Sequence, residues 1–235
     1  LFIVKESTLV SLTLDPNYVT ALAQAPDGAV WVGTHRGVRI VEKVKPVKIV
    51  EPKIASSIPT DIITALLCDS KGRMWIGTPV GIVLLDRGKV KVYSMSNGLS
   101  DYSITTIMED RHGSIWVGTN HGGLNRYYND QWSSISVSSG LTSNRIVNLY
   151  EDKEGSIWIG TAEGLNRIKD VNITPFTTQE GLYSDFVTSV VEGCDGSMYF
   201  FYNTIGVIQR IRDGKSKVFS NVLVGSAYKG SDGSI

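Results

Sequence analysis

The chain has 235 residues, of which 42% are hydrophobic, and its 23 Lys and Arg residues balance its 23 Asp and Glu residues. The zero net charge gives no argument for a nucleic acid or an anionic membrane as a partner, and no apolar run reaches the roughly 18 residues of a membrane span. The two cysteines, Cys68 and Cys194, occupy different positions of a repeating pattern. We therefore expect no disulfide between them and no indication of the redox compartment.

Two strands are predicted ahead of the repeating part of the chain, at Leu1 to Lys5 and at Thr8 to Leu14. They resemble the last two strands of a four-stranded unit whose first half is missing, so we assign residues 1–14 to a preceding unit. The sequence has no initiator Met and no signal peptide. We therefore expect it to be a piece of a longer protein.

A Trp-containing motif then recurs with a period near 42 residues. Its four clear copies are Trp31–Thr34, Trp75–Thr78, Trp116–Thr119 and Trp158–Thr161. The tryptophans are 44, 41 and 42 residues apart, and a degenerate copy follows at Tyr199–Tyr202. Such a period indicates repeated structural units. We place the units at residues 15–52, 53–95, 96–137, 138–178 and 179–220, with 221–235 as the first strand of a truncated sixth.

The third repeat shows what each unit is predicted to contain. Strands rich in β-branched and aromatic residues are predicted at Ile104 to Met108, Ser114 to Thr119, Leu124 to Tyr127 and Gln131 to Val137. Turns separate the strands, and no helical period stands out. Four short antiparallel strands in every ~40–45 residues predict an all-β fold, a β-propeller of four-stranded blades. We expect a seven-bladed ring, of which the chain supplies five full blades and parts of others; a solenoid or an open array of sheets is the alternative.

The positions of the motif that recur in each repeat have predicted structural roles. A blade has two apolar faces, which it buries by stacking against its neighbours. The Trp ring would fill the gap that widens between sheets, and the Gly two residues later would let a neighbouring group approach closely. Asp69, Asp110 and Asp152 precede the turn glycines and are predicted turn caps, not catalytic acids or calcium ligands.

A longer pattern surrounds the Trp motif. In the fourth repeat it consists of Gly140–Asn144, Ile146–Leu149, Asp152–Thr161 and Glu163–Arg167. Its beginning recurs at Gly98–Ser100 and Gly181–Tyr183. Together these elements resemble the two-component regulator propeller repeat. The first repeat departs from the family pattern because it lacks the Gly-Leu lead, and the fifth because it lacks the Trp.

The resemblance implies a sensor role. Such repeats usually form the extracytoplasmic sensor region of bacterial membrane receptors, including hybrid histidine kinases and diguanylate cyclases, and many of these receptors respond to oligosaccharides. It implies a periplasmic or extracytoplasmic location and a small-molecule or oligosaccharide ligand. It also implies, as partners, the remaining blades and signalling domains of the same parent chain and a second copy in a homodimer. The streptogramin lyases, propeller enzymes with a magnesium site and a catalytic His, resemble the chain too.

A candidate ligand-binding face follows from the propeller prediction. The loops from a fourth strand to the next first strand and those from second to third strands are expected on one face, at the mouth of the central channel. Their residues vary while the framework repeats, and Asn, Asp, Tyr and Arg suit a sugar or peptide ligand. Ordinary polar loop residues are the alternative. The candidates are Asn17, Tyr18, His35, Arg36, Asp61, Tyr102, Asn120, His121, Asn144, Arg145, Glu163, Asp185, Phe186 and Asn203.

The sequence assigns no catalytic residue, metal site or cofactor. His112 is predicted on the opposite face from His35 and His121, so the three histidines are not expected to share a metal. Asp61 and Asp185 are three blades apart, which argues against the converging carboxylates of a glycosidase. We therefore expect a non-enzymatic sensor module; a streptogramin-lyase-like enzyme or glycosidase and a protein-interaction scaffold are the alternatives.

Overall fold

The part of the chain that the structure describes folds into five four-stranded antiparallel sheets and one two-stranded sheet. The structure is a computed structural model, and it describes residues 2–5, 8–11, 18–42, 48–52, 55–169, 172–202 and 206–220. The first strands of successive four-stranded sheets lie against one another, so each sheet is one blade of a propeller. The predicted all-β propeller class is confirmed, and the number of blades in a complete ring stays a prediction.

Each blade is a meander of four strands in chain order, from an innermost strand to an edge strand. Ahead of the blades, β1 (Phe2–Lys5) pairs with β2 (Thr8–Ser11). Blade 1 consists of β3 (Val19–Gln24), β4 (Val30–Thr34), β5 (Gly37–Glu42) and β6 (Lys48–Val50), and blade 2 of β7 (Ala65–Cys68), β8 (Met74–Thr78), β9 (Gly81–Asp86) and β10 (Lys89–Tyr93). Blade 3 consists of β11 (Ile104–Glu109), β12 (Ile115–Thr119), β13 (Leu124–Tyr128) and β14 (Gln131–Ile135), and blade 4 of β15 (Ile146–Glu151), β16 (Ile157–Thr161), β17 (Gly164–Lys169) and β18 (Asn172–Phe176). Blade 5 consists of β19 (Ser189–Glu192), β20 (Met198–Tyr202), β21 (Val207–Arg212) and β22 (Lys215–Ser220).

Short 3-10 helices, which the sequence did not indicate, lead from one blade to the next. In blade 3 the edge strand ends at Ile135, and Val137, which was predicted to close it, begins such a helix. A single 3-10 turn is too short to leave a periodic pattern in the sequence. Among the described residues these helices are Ala55–Ser57, Met95–Asn97, Val137–Ser139 and Thr178–Glu180.

Neighbouring blades approach most closely at the Gly of the Trp motif. A Cβ atom at Gly118 would lie only 2.6 Å from Cγ2 of Ile146, which opens the next blade. Ile146 is fully buried, so a side chain at position 118 would force the two blades apart. The close approach predicted for this Gly is present. The equivalent pairs are Gly33 with Ile63 and Gly77 with Ile104.

An Asp side chain fastens the first turn of a blade to its Trp. In blade 3, Asp110 Oδ1 accepts hydrogen bonds from the backbone N–H groups of His112 and Ser114, at 2.9 and 2.8 Å. Its Oδ2 accepts the indole N–H of Trp116 at 2.8 Å. The predicted turn cap is present, and the bond to the indole adds a partner for a buried donor that would otherwise be unsatisfied. Asp69 with Trp75 and Asp152 with Trp158 repeat the arrangement.

A third link joins the first turn of one blade to the end of the first strand of the next. The Glu151 carboxylate accepts the backbone N–H of Arg111 at 2.8 Å and pairs with its guanidinium. Ser70 with Glu109 and Lys153 with Glu192 make the same link. Between blades 1 and 2 the corresponding residues are Pro26, which has no N–H, and Cys68. This junction therefore lacks the carboxylate link.

The two cysteines do not form a disulfide with each other. Cys68 is half-buried at the end of β7, and Cys194 is exposed in the first turn of blade 5. Burial raises the pKa of the Cys68 thiol, and the neighbouring Asp69 carboxylate adds to the effect. Cys68 is therefore a poor nucleophile at neutral pH.

We expect Gly118→Ala to destabilise the chain by about 2–3 kcal/mol, because the new methyl group would overlap Ile146. Gly160→Ala is the matched control: its Cβ would come no closer than 3.2 Å to any neighbour, the carbonyl oxygen of Val187. Urea unfolding of the two variants measures the difference. Equal losses of stability would contradict the role assigned to the Gly–Ile contact.

We expect Asp110→Ala to cost about 3 kcal/mol, because it removes the acceptor of a buried indole N–H and of two turn N–H groups. Asp27→Ala is the control. Asp27 is exposed and caps its turn through one hydrogen bond to Ala29, without a bond to a Trp, so its loss should cost less than about 1 kcal/mol. Unfolding midpoints that shift equally in both variants would show that the hydrogen bond to the indole adds nothing to the stability of the fold.

Candidate functional site

The two predicted sets of loops meet on one face, which we call the rim face. It consists of the segments that connect the blades and the loops between second and third strands. Backbone hydrogen bonds join the two sets: the N–H of Asn120 donates to Ser103 O at 2.9 Å, and the N–H of Gly123 donates to Asn144 O at 2.9 Å. The N–H of Ala162 donates likewise to Arg145 O at 3.0 Å. The loops that carry the candidate residues are therefore one continuous surface.

The Thr that ends the Trp motif fixes the second-to-third loop. In blade 4 the Thr161 hydroxyl donates to Gly164 O at 2.8 Å and accepts the backbone N–H of Glu163 at 3.2 Å. The tight loop leaves the Glu163 side chain exposed. Thr34, Thr78 and Thr119 make the corresponding pairs of bonds.

The connecting segments are held by a polar side chain from the third strand. Asn166, fully buried, donates its Nδ2–H to the Thr142 hydroxyl at 2.8 Å and accepts the Thr142 N–H at 3.2 Å. Asn125 with Ser100 in blade 3 makes the same pair of bonds. In blade 5 Gln209 replaces the Asn and accepts the Tyr183 N–H at 2.9 Å. These bonds explain why the Asn of the Gly-Leu-Asn-Arg pattern belongs to the framework.

Two ionisable groups near these segments have pKa values moved by their surroundings. Hydrogen bonds from Thr177 hold the pKa of the exposed Glu180 carboxyl below its usual value. Burial raises the pKa of Tyr202, whose hydroxyl donates to Gln209 Oε1 at 2.6 Å. Glu180 therefore stays a hydrogen-bond acceptor and Tyr202 a donor at neutral pH.

The candidates of blades 1 and 2 lie open to solvent. The Tyr18 ring stacks on His35, with ring centroids 5.2 Å apart and an interplanar angle of 19°, and Tyr18 is 72% exposed. Arg36 and Asp61 are exposed as well. The backbone carbonyl of Asp61 accepts the N–H of Gly37, which ties the two loops together. The structure thus brings the blade 1 and blade 2 candidates to one stretch of the rim face.

In blade 3 the candidates gather around a buried carboxylate that the sequence did not single out. Asp101 Oδ1 accepts the N–H of Tyr102 at 2.8 Å, and its Oδ2 accepts the N–H of His121 at 2.8 Å. The His121 ring lies near the same group, with Nδ1 3.5 Å from Asp101 Oδ2. Asn120 Nδ2 lies 3.3 Å from His121 Nε2. Asp101 precedes Tyr102 in a Ser-Asp-Tyr run, a local signal for a side chain that caps its own loop.

Two candidates of blades 4 and 5 have a structural task. Asn144 Oδ1 accepts the N–H of Val137 at 2.9 Å, and Asp185 Oδ1 accepts the N–H of Thr178 at 2.6 Å. Each bond caps the 3-10 helix that leads into the segment. Arg145 is exposed beside Asn144, whereas Phe186 is half-buried beside Asp185. Asn17 and Asn203, the remaining candidates, lie outside the described residues.

Exposed apolar side chains concentrate on the rim face. Over half of the large exposed apolar side chains of the described chain lie there. Most of them were not predicted as site residues, because an apolar residue in a sequence is expected to be buried and the sequence does not show which are left uncovered. They are Tyr18, Ile62, Val80, Met95, Tyr102, Val137 and Tyr183.

A cavity of about 320 Å³ lies inside the ring of first strands. Threonines line it at equivalent positions of four blades, namely Thr20, Thr64, Thr105 and Thr188. The hydroxyls of Thr64 and Thr105 are buried without a protein partner. In the sequence these residues recur as a Thr eight residues before a turn Gly, but they were not predicted to line a cavity.

Within the described residues, no three or more His, Cys, Asp or Glu side chains come together as metal ligands could. None of the helices in this part of the chain combines the length and the apolarity of a membrane crossing.

Comparison with known families identifies the repeats. The family model of the two component regulator propeller matches residues 13–36, 57–79, 98–121 and 140–163. This chain belongs to the two-component regulator propeller family. Each match runs from a connecting segment, through the first strand and the Trp motif, into the second-to-third loop. The family pattern therefore covers the framework and the loops of the rim face.

Solved structures of similar fold come from two kinds of protein. A virginiamycin B lyase from Staphylococcus aureus has a TM-score of 0.68 and 18% sequence identity, with 86% of this chain and 70% of that chain covered. The extracellular domain of a hybrid two-component system of B. thetaiotaomicron has a TM-score of 0.62 and 19% identity, with 99% and 39% covered. A second such domain from B. thetaiotaomicron has a TM-score of 0.55 and 19% identity, with 86% and 37% covered.

This chain thus spans well under half of the length of the extracellular domains that it resembles. At these identities the likenesses establish the propeller fold and no activity. No curated protein sequence matches the chain.

Proposed function

We propose that the chain is the ligand-recognition propeller of a bacterial signalling receptor, and that its rim face binds an oligosaccharide or a similar hydroxyl-rich small molecule. The observation that carries the proposal is the concentration of exposed Tyr side chains and other apolar groups on that face. Exposed apolar side chains that gather on one part of a protein surface commonly mark a binding site.

The chemistry of the rim face suits a sugar. Tyr18 and Tyr102 offer exposed aromatic faces on which sugar rings stack, and both lie next to side chains with hydrogen-bonding atoms, His35 and Asn120 among them. Arg145 adds an exposed cation for an acidic sugar. The framework bonds beneath these groups hold the loops in place before a ligand arrives, which lowers the entropic cost of binding.

The family and the similar structures support a proposal for the location and output of the receptor. Two-component regulator propellers imply an extracytoplasmic sensor, and the hybrid two-component proteins of similar fold contribute extracellular domains. We propose the same location here, with the remaining blades and a kinase or cyclase output supplied by other parts of the parent chain. Binding would be transmitted by a change in how the propeller packs against its neighbours.

We expect the double variant Tyr102→Ala, Arg145→Ala to lose at least about tenfold in affinity for its oligosaccharide. Titration calorimetry of the chain with neutral and acidic oligosaccharides measures this. Tyr128→Ala is the control, because Tyr128 is a comparably exposed tyrosine at the opposite end of blade 3. If no oligosaccharide binds, or if both variants bind as the original chain does, the proposal is wrong.

One observation favours a second function, acid–base catalysis at the rim face. The buried Asp101 carboxylate lies 3.5 Å from Nδ1 of the exposed His121 ring, and a carboxylate beside a histidine ring is part of the catalytic machinery of many enzymes. Under our sensor proposal, incubation of the chain with the oligosaccharides that it binds should release no shorter product. Product release that disappears in His121→Ala, while binding is retained, would instead establish an enzyme.

A further inference from the structure

A cavity of about 510 Å³ lies between blades 3 and 4, and Ser139 of the connecting helix Val137–Ser139 marks where it approaches the rim face. Its walls include the indole of Trp116 and the side chains of Ile135, Ile157 and Ile168. This volume lies in the range of small-molecule pockets, and the mixture of apolar walls with a few polar groups is typical of them.

At two positions the interface between blades 3 and 4 has isoleucine where the interface between blades 2 and 3 has tyrosine. Ile135 takes the position of Tyr93 in blade 2 and of Phe176 in blade 4, as the strand registers show. Ile168 takes the position of Tyr127 in blade 3. The space that these rings would occupy is left open between blades 3 and 4.

The preceding interface shows how the same space is otherwise filled. Between blades 2 and 3 an aromatic cluster of Trp75, Tyr93, Tyr127 and Trp132 packs with ring centroids 4.9–6.1 Å apart. The hydroxyls of Tyr93 and Tyr127 are hydrogen-bonded to each other at 3.0 Å. A smaller hollow of about 390 Å³ remains beside β9 and β10. The interface between blades 2 and 3 thus indicates that aromatic rings fit the corresponding space between blades 3 and 4.

One cation in the cavity wall has no anionic partner. The Arg126 guanidinium lies over the rings of Trp116 and Tyr128, at 5.2 and 5.1 Å from their centroids. Its Nη2–H donates to the Ser114 hydroxyl at 2.8 Å, and its Nε is buried without a hydrogen-bond partner. Within the described residues, no carboxylate lies at ion-pair distance from it.

The carboxylates that also line the cavity already have hydrogen-bond or ion-pair partners. Asp110 accepts hydrogen bonds from Trp116 and from its own turn, and Glu151 is paired with Arg111. Arg126 is therefore the group that a ligand would neutralise. A planar guanidinium binds a carboxylate through two parallel hydrogen bonds.

We propose that the space between blades 3 and 4 binds a small aromatic carboxylate, with its rings against Trp116, Ile135 and Ile168 and its carboxylate on Arg126. The site is distinct from the proposed sugar site, since it uses none of the exposed rim-face candidates and shares with the rim face only the connecting segment that carries Ser139. It makes the propeller a receptor for a second class of molecule.

The test uses 2-naphthoate as the probe and its neutral analogue 2-naphthamide, titrated into the chain by calorimetry. We expect one naphthoate per chain, bound at least about tenfold more tightly than the amide, because only the acid forms charge-assisted bonds with Arg126. In Arg126→Leu, naphthoate should bind no better than the amide. Leucine is the residue that blade 2 has at the equivalent position, Leu84.

Ile135→Phe tests the cavity itself, since Phe176 already occupies the equivalent position in blade 4. It should weaken both probes at least tenfold while the urea midpoint stays at or above that of the original chain. Arg167→Leu is the matched control: Arg167 stacks on Trp158 in the same way but beside Phe176, and its loss should leave naphthoate binding unchanged. Tyr102→Ala should leave it unchanged too. No naphthoate binding, or equal binding to the original chain and Ile135→Phe, would overturn the proposal.

Discussion

The contact between the Gly of the Trp motif and the branched side chain that opens the next blade sets the spacing on which the rest of the propeller depends. Because Gly118 has no side chain, Ile146 packs directly against the backbone of blade 3. The first strands then lie close enough for the turns to be linked across blades, as Arg111 and Glu151 are. The same approach brings connecting segments and loops within hydrogen-bonding distance, for example Gly123 and Asn144. The geometry of the rim face is thus a consequence of one backbone contact repeated around the axis.

The sequence predicted this framework because each repeated position has a local physical reason. Turn residues, β-branched strands and the Trp–Gly spacing all recur, so four short strands per unit followed from pattern alone. The turn-capping role of Asp110 was also predictable, since an Asp shortly before a turn Gly commonly accepts hydrogen bonds from the backbone of its own turn. The bond from its Oδ2 to Trp116 was not, because it joins residues whose distance depends on the hairpin geometry. The 3-10 helices escaped prediction for a related reason: one turn leaves no period to detect.

The candidate site was harder to predict than the fold, and particular residues show why. Tyr102 and Arg145 were found because they stand out as variable positions in a repeating frame, and the structure leaves them exposed. Asn144 was chosen by the same rule, yet its Oδ1 caps a helix, and position alone does not separate the two uses. Asp101 was overlooked because a carboxylate that accepts the backbone N–H of a residue as distant in sequence as His121 leaves no local pattern. Exposure of Met95 or Val137 is a property of the folded surface, which a hydrophobicity pattern does not contain.

Departures from the repeat are where this propeller acquires properties of its own. Ile135, in place of an aromatic residue, opens a cavity whose wall includes Ser139 of the helix Val137–Ser139. The N–H of Val137 in that helix is bound by Asn144, whose neighbour Arg145 is on the rim face. A molecule between blades 3 and 4 would therefore touch the segment that also presents a rim-face side chain. If a molecule in the cavity changes the affinity of the rim face for its ligand, the rim-face ligand must change the affinity of the cavity by the same factor, since coupling between two binding sites is reciprocal. The short path from Ser139 to Arg145 gives such coupling a physical route through a single connecting segment.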